Sequence, residues 1–272
     1  MGTLFLVATP IGNLADLSPR AVATLRAAAV IAAEDTRRTR TLLDQHEIRN
    51  RIISYYDHNE AERIESLLRE LETGDVALVS DAGSPGINDP GFPLVRAAIA
   101  AGHRVSPVPG PSAPIAALTA SGLPADTFLY LGYLPRKKAE RRALIEANAG
   151  QPHTLVLLET PHRLVEALAD LQDLLGDRQI TVARELTKVY EEFVRGPVSE
   201  VRGHFEADPP KGEITLVVAG AEKDERRWSD EELEAGIRTG LAAGEAASAL
   251  ARRLVGESGW SRREIYDKIL KN

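Results

Sequence analysis

Val76-Ala-Leu-Val-Ser-Asp-Ala-Gly-Ser-Pro-Gly-Ile-Asn-Asp-Pro-Gly91 decides the fold. Val76–Ser80 is a short apolar run of the kind a buried strand uses. The loop that follows, Ser80–Gly91, spends about eleven residues where a plain turn between strand and helix needs roughly two to six. Its glycines let the backbone come close to a ligand. The helix expected at Phe92–Ala101 then takes up the chain. A long Gly/Pro loop at a strand's carboxyl end marks the edge where open α/β sheets bind ligands.

The residues around it extend the pattern. Before it come an apolar run at Leu4–Ala8 and a helix start at Ser18, with Ser as cap and Pro19 at the first helical position. A strand at Val30–Ala33, a helix at Thr36–Gln45 and a strand at Ile52–Tyr55 follow. The amphipathic helix Glu60–Glu72 stops before Gly74. Beyond the loop lie a strand at Val105–Val108 and a helix at Ser112–Ser121. This β/α alternation predicts a parallel-sheet α/β domain over residues 1–122.

From residue 123 the pattern changes. Phe128–Leu131 reads as a strand, Pro135–Arg142 as a basic loop and helix, Thr154–Leu158 as a strand and Pro161–Leu175 as a helix. Strands at Ile180–Arg184, Tyr190–Arg195 and Ile214–Ala219 follow with few helices between them. A second α/β domain with a mixed sheet is therefore expected over 123–222. The polar stretch Lys223–Ser229 reads as a linker into a small helical C-terminal domain, 223–272, with helices beginning near Ser229, Gly244 and Ser261.

Composition bounds the chemistry. Of 272 residues, 43% are hydrophobic and 27% charged, enough for real cores. The absence of Cys excludes disulfides and thiolate metal sites. Six His without metal-ligand spacing lead us to expect no bound metal. Met1–Ala8 has no basic leader, and no apolar run approaches the ~20 residues of a membrane span, so a cytoplasmic protein is expected. A net charge of −7 argues against general coating of nucleic acid. Local basic patches remain: Arg136, Lys137, Lys138, Arg141 and Arg142, and in the tail Arg252, Arg253, Arg262, Arg263, Lys268 and Lys271. Ala247–Leu270 loosely resembles a helix-turn-helix.

Four more motifs carry candidate chemistry. Ala8–Leu14 and Val108–Pro114 also follow strands, so both fall on the same carboxyl edge. The first is not G-x-G-x-x-G, which speaks against a dinucleotide. In Ala33-Glu-Asp-Thr-Arg-Arg-Thr-Arg40, Asp35 is either a plain helix cap or a functional acid. Arg37 and Arg38 suit a phosphate. In Leu158-Glu-Thr-Pro-His-Arg163, Glu159 ends a strand, and His162 is either a proton carrier or a surface residue.

Leu4-Phe-Leu-Val-Ala-Thr-Pro-Ile-Gly-Asn-Leu14, Ala33-Glu-Asp-Thr-Arg-Arg-Thr39, Val79–Gly91, Val108-Pro-Gly-Pro-Ser-Ala113, Gly132-Tyr-Leu-Pro-Arg136 and Leu158–Arg163 together resemble the ribosomal small subunit methyltransferase I family, which is similar to the tetrapyrrole methylases. The likeness runs in order from Gly2 to about Gly220. It implies a two-domain tetrapyrrole-methylase-like fold with S-adenosylmethionine in the cleft between the domains, and a homodimer. It implies methyl transfer to the ribose 2′-oxygen of cytidine 1402 in the 16S ribosomal RNA of the 30S subunit. Ser84 stands where tetrapyrrole enzymes usually carry the Asp of Gly-Asp-Pro, which favours the RNA branch.

Matching those loops puts Pro10, Ile11, Ser84, Ile87, Ser112 and Ala113 on cofactor-contact positions, with Leu158, Leu186, Glu213 and Ile214 from the second domain. Asp35, Glu159 and His58 are candidate bases for the hydroxyl proton. Arg37, Arg38, Arg136 and Lys137 are candidate RNA contacts. The rival readings are a corrin or porphyrin C-methyltransferase and a non-catalytic nucleic-acid-binding module. An acidic protein with small basic patches should bind naked RNA weakly, which leads us to expect the assembled 30S subunit as substrate.

Overall fold

Runs of Val, Leu, Ile and Ala without a polar break need cover on both faces, and a parallel sheet under helices supplies it. The computed structural model, which describes residues 1–222 and 227–271, builds such a sheet. Its strands are β1 (Thr3–Val7), β2 (Val30–Ala33), β3 (Ile52–Ser54), β4 (Val76–Val79) and β5 (Arg104–Val108). They lie in the order β3-β2-β4-β1-β5, all parallel. Alternate residues face opposite sides. Ile31, Ala33, Ala77 and Val79 pack under α1 (Pro19–Ala27) and α2 (Thr36–Gln45). Val30, Ala32, Val76 and Leu78 pack under α3 (Glu60–Thr73) and α4 (Phe92–Ala100). After β5, α5 (Ala113–Ser121) leaves this sheet for the next one.

The second sheet is mixed, as expected. It comprises β6 (Phe128–Tyr133), β7 (Thr154–Glu159), β8 (Gln179–Arg184), β9 (Glu192–Pro197) and β10 (Ile214–Val218). The order is β6-β7-β10-β8-β9, with β6 parallel to β7 and the other pairs antiparallel. One face packs on α6 (Lys138–Ala147), α7 (Leu164–Leu175) and α8 (Val198–Ala207). The other face, with Val156, Ala183 and Val217, receives Ala117 and Leu118 of α5 together with Ile11. Loops from the carboxyl edge of the first sheet therefore lie against one face of the second.

Two differences from the sequence reading stand out. Helix α8 fills a stretch to which the sequence reading assigned no element of its own; Val198, Val201 and Phe205 share its buried side. The basic stretch after β6 is partly tied up in ion pairs, although Arg136, Lys137 and Lys138 stay exposed. Arg141 is 1% exposed, between Asp170 and Glu166. Arg142 pairs with Asp170 and Asp173, and Lys137 with Glu140. Arg141 shares its helix face with buried Ile145, one turn on, which draws the guanidinium inward.

The chain divides into two compact units, Met1–Ala221 and Glu222–Asn272. The expected boundary at 122/123 falls between α5 and β6, inside the first unit. The second unit contains α9 (Asp230–Ala242), α10 (Ala247–Ser258) and α11 (Arg262–Ile269) around Leu233, Ile237, Leu250, Leu254 and Ile265. Ser229 and Ser261 cap α9 and α11 in reciprocal capping boxes with Glu232 and Glu264. In the expected basic tail, Arg253 is held by Glu245 and Glu257. Lys268 pairs with Asp230. Residues 223–226, the start of the expected linker, lie outside the described residues. No helix among the described residues is long and apolar enough to cross a membrane.

Candidate active site

The loops after β1 and β4 are clasped together. The Thr9 N–H donates to the Gly83 carbonyl at 2.9 Å, and the Gly83 N–H donates to the Thr9 carbonyl at 3.0 Å. The Thr9 hydroxyl donates to the Ser80 carbonyl at 3.1 Å. The second sheet holds the same loop from the far side, where the Tyr130 hydroxyl donates to Asn88 Oδ1 at 2.6 Å. Asn88 has φ 61°, a left-handed conformation that Asn tolerates better than most residues. Facing it, Gly132 sits at the bulge of β6 with φ 66°. A Cβ on Gly132 would lie 2.7 Å from the Asn88 amide nitrogen, so the contact requires glycine.

Between loop and sheet lies a cleft enclosing about 890 Å³, its solvent mouth included. Ile11, Ser84, Ile87, Ser112 and Ala113 line it from the first sheet's loops. Leu158, Glu213 and Ile214 line it from the second sheet. Two expected contacts sit just off it. Pro10 faces a neighbouring cavity, and Leu186 is buried in the cluster that holds Ile11.

The cleft also holds residues that the sequence reading passed over: Glu34, Asp81, Tyr130 and Tyr133. Its carboxylates, Glu34, Asp81, Asp89 and Glu213, face one guanidinium, Arg38. The Asp81 N–H donates to Glu34 Oε2 at 3.1 Å, and the Asp35 N–H donates to Asp81 Oδ1 at 3.0 Å. Arg38 pairs with Asp81 at 3.2 Å. Burial pushes the Asp89 carboxyl up to about 7, helped by the charges of Glu34, Asp81 and Asp57 and opposed by a hydrogen bond from Ser80. Burial also raises Glu34, and lifts the Tyr130 hydroxyl to about 12.

None of the three expected bases lines this cleft. Asp35 caps α2, accepting the Arg37 N–H at 2.8 Å, and pairs with the Arg37 guanidinium at 2.9 Å. Those bonds hold its carboxyl at about 2. The Glu159 side chain is fully buried and bonded to the Thr160 N–H at 2.7 Å and Arg163 at 3.1 Å. His58 is exposed, its ring edge-on to Tyr56. Of the expected RNA contacts, Arg38 reaches the cleft, Arg37 is 90% exposed, Arg136 is exposed and Lys137 is paired.

A profile of the family described as Tetrapyrrole (Corrin/Porphyrin) Methylases matches residues 3–202. A ribosomal RNA small subunit methyltransferase I from Synechocystis sp. is 47% identical, over 100% of this chain and 98% of that protein. The chain belongs to the ribosomal RNA small subunit methyltransferase I family of the tetrapyrrole methylases. A family member from Bacillus subtilis is 40% identical over 98% of this chain and 94% of its own. One from Escherichia coli O157:H7 is 47% identical over 82% of this chain and 80% of its own. The fold recurs in solved structures. Diphthine synthase superposes with a TM-score of 0.63 at 16% identity, covering 86% of this chain and 94% of that one. Uroporphyrin-III C-methyl transferase from Thermus thermophilus, complexed with S-adenyl homocysteine, gives 0.55 at 23%, covering 79% and 97%.

Proposed function

We propose that the protein transfers a methyl group from S-adenosylmethionine to the ribose 2′-oxygen of cytidine 1402 in 16S ribosomal RNA. In this reading it acts on the assembled 30S subunit as a cytoplasmic homodimer. The observation that carries the reading is the cleft's charge. Four carboxylates and one guanidinium line it, in a chain 47% identical along its whole length to a ribosomal RNA small subunit methyltransferase I. A sulfonium with an amino group suits such a lining; a dinucleotide phosphate does not.

Ile11, Ile87, Leu158 and Ile214 offer apolar surface to an adenine, and Ser84 and Ser112 offer hydroxyls. When bound, the cofactor supplies an electrophilic methyl group. The chain's part is to align the acceptor oxygen and take its proton. We assign the proton to the Asp89 carboxylate, whose pKa of about 7 matches a neutral working pH. Asp35 is held at about 2 by Arg37 and is a poor acceptor. Arg37, Arg38 and Arg136 would hold phosphates. A net charge of −7 repels naked RNA, which favours a particle that presents the target in a fixed place.

Labelled S-adenosylmethionine and 30S subunits lacking the modification test the reading. Label at cytidine 1402 is expected. Label entering uroporphyrinogen instead would move the acceptor to a tetrapyrrole. No label, with no cofactor uptake by calorimetry, would leave a binding module. For the homodimer, Phe92 and Ile99 on α4 are 64% and 61% exposed, an apolar face that a second copy would cover. Light scattering should give twice the chain mass; a single-chain mass overturns the dimer.

A further inference from the structure

A second cavity opens on the same carboxyl edge. It encloses about 620 Å³, solvent mouth included, between the loop after β1, the wall of α2 and the end of β4. Arg38 and Asp81, the ion pair at 3.2 Å, line both this cavity and the cofactor cleft. We propose that this second cavity receives the acceptor ribonucleoside, and that the Arg38–Asp81 pair is the partition across which its ribose faces the cleft. The placement rests on the methyltransferase reading above.

Three observations carry it. First, the partition is anchored on one side and exposed on the other. Asp81 is anchored by the Asp35 N–H, while the Arg38 side chain is 68% exposed and reaches the wall through its ion pair with Asp81. A ribose arriving at this wall would need only Arg38 to move. Second, the lining suits one base. Pro10, Leu14 and Leu42 give an apolar surface, and Leu14 is 39% exposed at the mouth. The Thr41 hydroxyl donates to the Arg37 carbonyl at 3.2 Å, which leaves its oxygen able to accept from a base amino group. A tetrapyrrole rimmed with carboxylates would need several cations; this lining has one. Third, the exposed Arg37 follows the Asp35 cap of α2, next to Arg38 of the cavity wall, with its guanidinium on Asp35. A phosphate flanking an everted nucleoside would compete with Asp35 for that guanidinium.

Thr41→Trp and Leu14→Trp fill the cavity from exposed positions. Each is measured for methyl transfer to unmodified 30S subunits, with S-adenosylmethionine affinity followed by calorimetry and folding by circular dichroism. The expected result is a rise of roughly tenfold or more in KM for 30S with cofactor affinity within about twofold. Thr41→Val keeps the shape, removes the hydroxyl and should raise KM less. Unchanged transfer in both Trp variants overturns the placement. Loss of cofactor affinity in both also overturns it, because the cavity would then belong to the cleft. The wild-type control separates the two failures. No transfer by wild type overturns the functional reading and the placement together. Transfer by wild type with unaffected variants overturns the placement alone.

Discussion

On α7, Asp170 is 4% exposed and accepts hydrogen bonds from Arg141 Nε at 2.7 Å and Arg142 Nη1 at 2.9 Å. In the loop after β4, Asp89 is half-buried near Glu34, Asp81 and Asp57. Burial acts upward on both. At Asp170 the two arginines outweigh it and the pKa falls below the usual range. At Asp89 the neighbouring carboxylates add to it and the pKa rises to about 7. The difference separates structure from chemistry. A paired buried carboxylate is spent on holding helices together, whereas an unpaired one keeps a proton equilibrium open near neutrality.

The largest effect should come from Asp89→Asn. It should slow methyl transfer by roughly 10²–10⁴-fold, as loss of a general base does, while cofactor affinity holds in calorimetry. A near-normal rate would break the comparison at its functional end. Asp170→Ala should break it at the structural end. It strands Arg141 without its closest partner, and urea denaturation should show a loss of about 3–5 kcal/mol. A loss under about 1 kcal/mol would mean that Glu166 alone satisfies Arg141.

Next comes pH. As the proposed proton acceptor, Asp89 must be ionised, so the single-turnover rate should climb through about pH 7 and then level off, and Asp89→Asn should abolish that limb. Stability runs the other way. A raised pKa contributes stability fully present below the unfolded value near ~4 and lost as pH rises through about 7. The melting temperature of Asp89→Asn should therefore pull ahead of wild type between those limits, by roughly 2–4 °C per kcal/mol. Asp170, with its lowered pKa, contributes stability above ~4 that is lost as pH falls further.

Gly132→Ala should cost about 1–2 kcal/mol through its left-handed backbone and displace Asn88, loosening cofactor binding severalfold in calorimetry. Smallest of all, Lys137→Ala should change stability by under ~1 kcal/mol, since both partners of its pair with Glu140 are exposed.

Much of this was legible in the chain. Val30–Ala33 and Thr36–Gln45 fall where their apolar run and cap place them. The loops after β1, β4 and β5 announce themselves by Gly and Pro at strand ends, and Ile11, Ser84, Ile87 and Ser112 do meet in the cleft. The acids were harder to place for a geometric reason. Glu34 and Asp35 are adjacent in the bend between β2 and α2, where one side chain lines the cleft and the next accepts the Arg37 N–H. A slip of one residue exchanges a cleft carboxylate for a helix cap. The same slip separates Leu158, in the cleft, from Glu159, buried behind it. Asp89 was visible as a loop residue, but its raised pKa comes first from burial and then from Glu34 and Asp57, 55 and 32 positions away in sequence, and no local pattern records that. Arg141 read as surface charge because its partner Asp170 lies one strand and most of a helix further on.

The bridge between Thr9 and Gly83 has a thermodynamic consequence. Gly83 lines the cleft and Thr9 lines the second cavity. Because the two residues exchange both of their backbone hydrogen bonds, a ligand that shifts one carries the other with it. If the proposed sites hold cofactor and RNA, free energy that the cofactor contributes to fixing Gly83 is free energy the RNA need not supply at Thr9. Linkage requires the same factor in reverse, so substrate synergy would be measurable from either side, whichever ligand is added first.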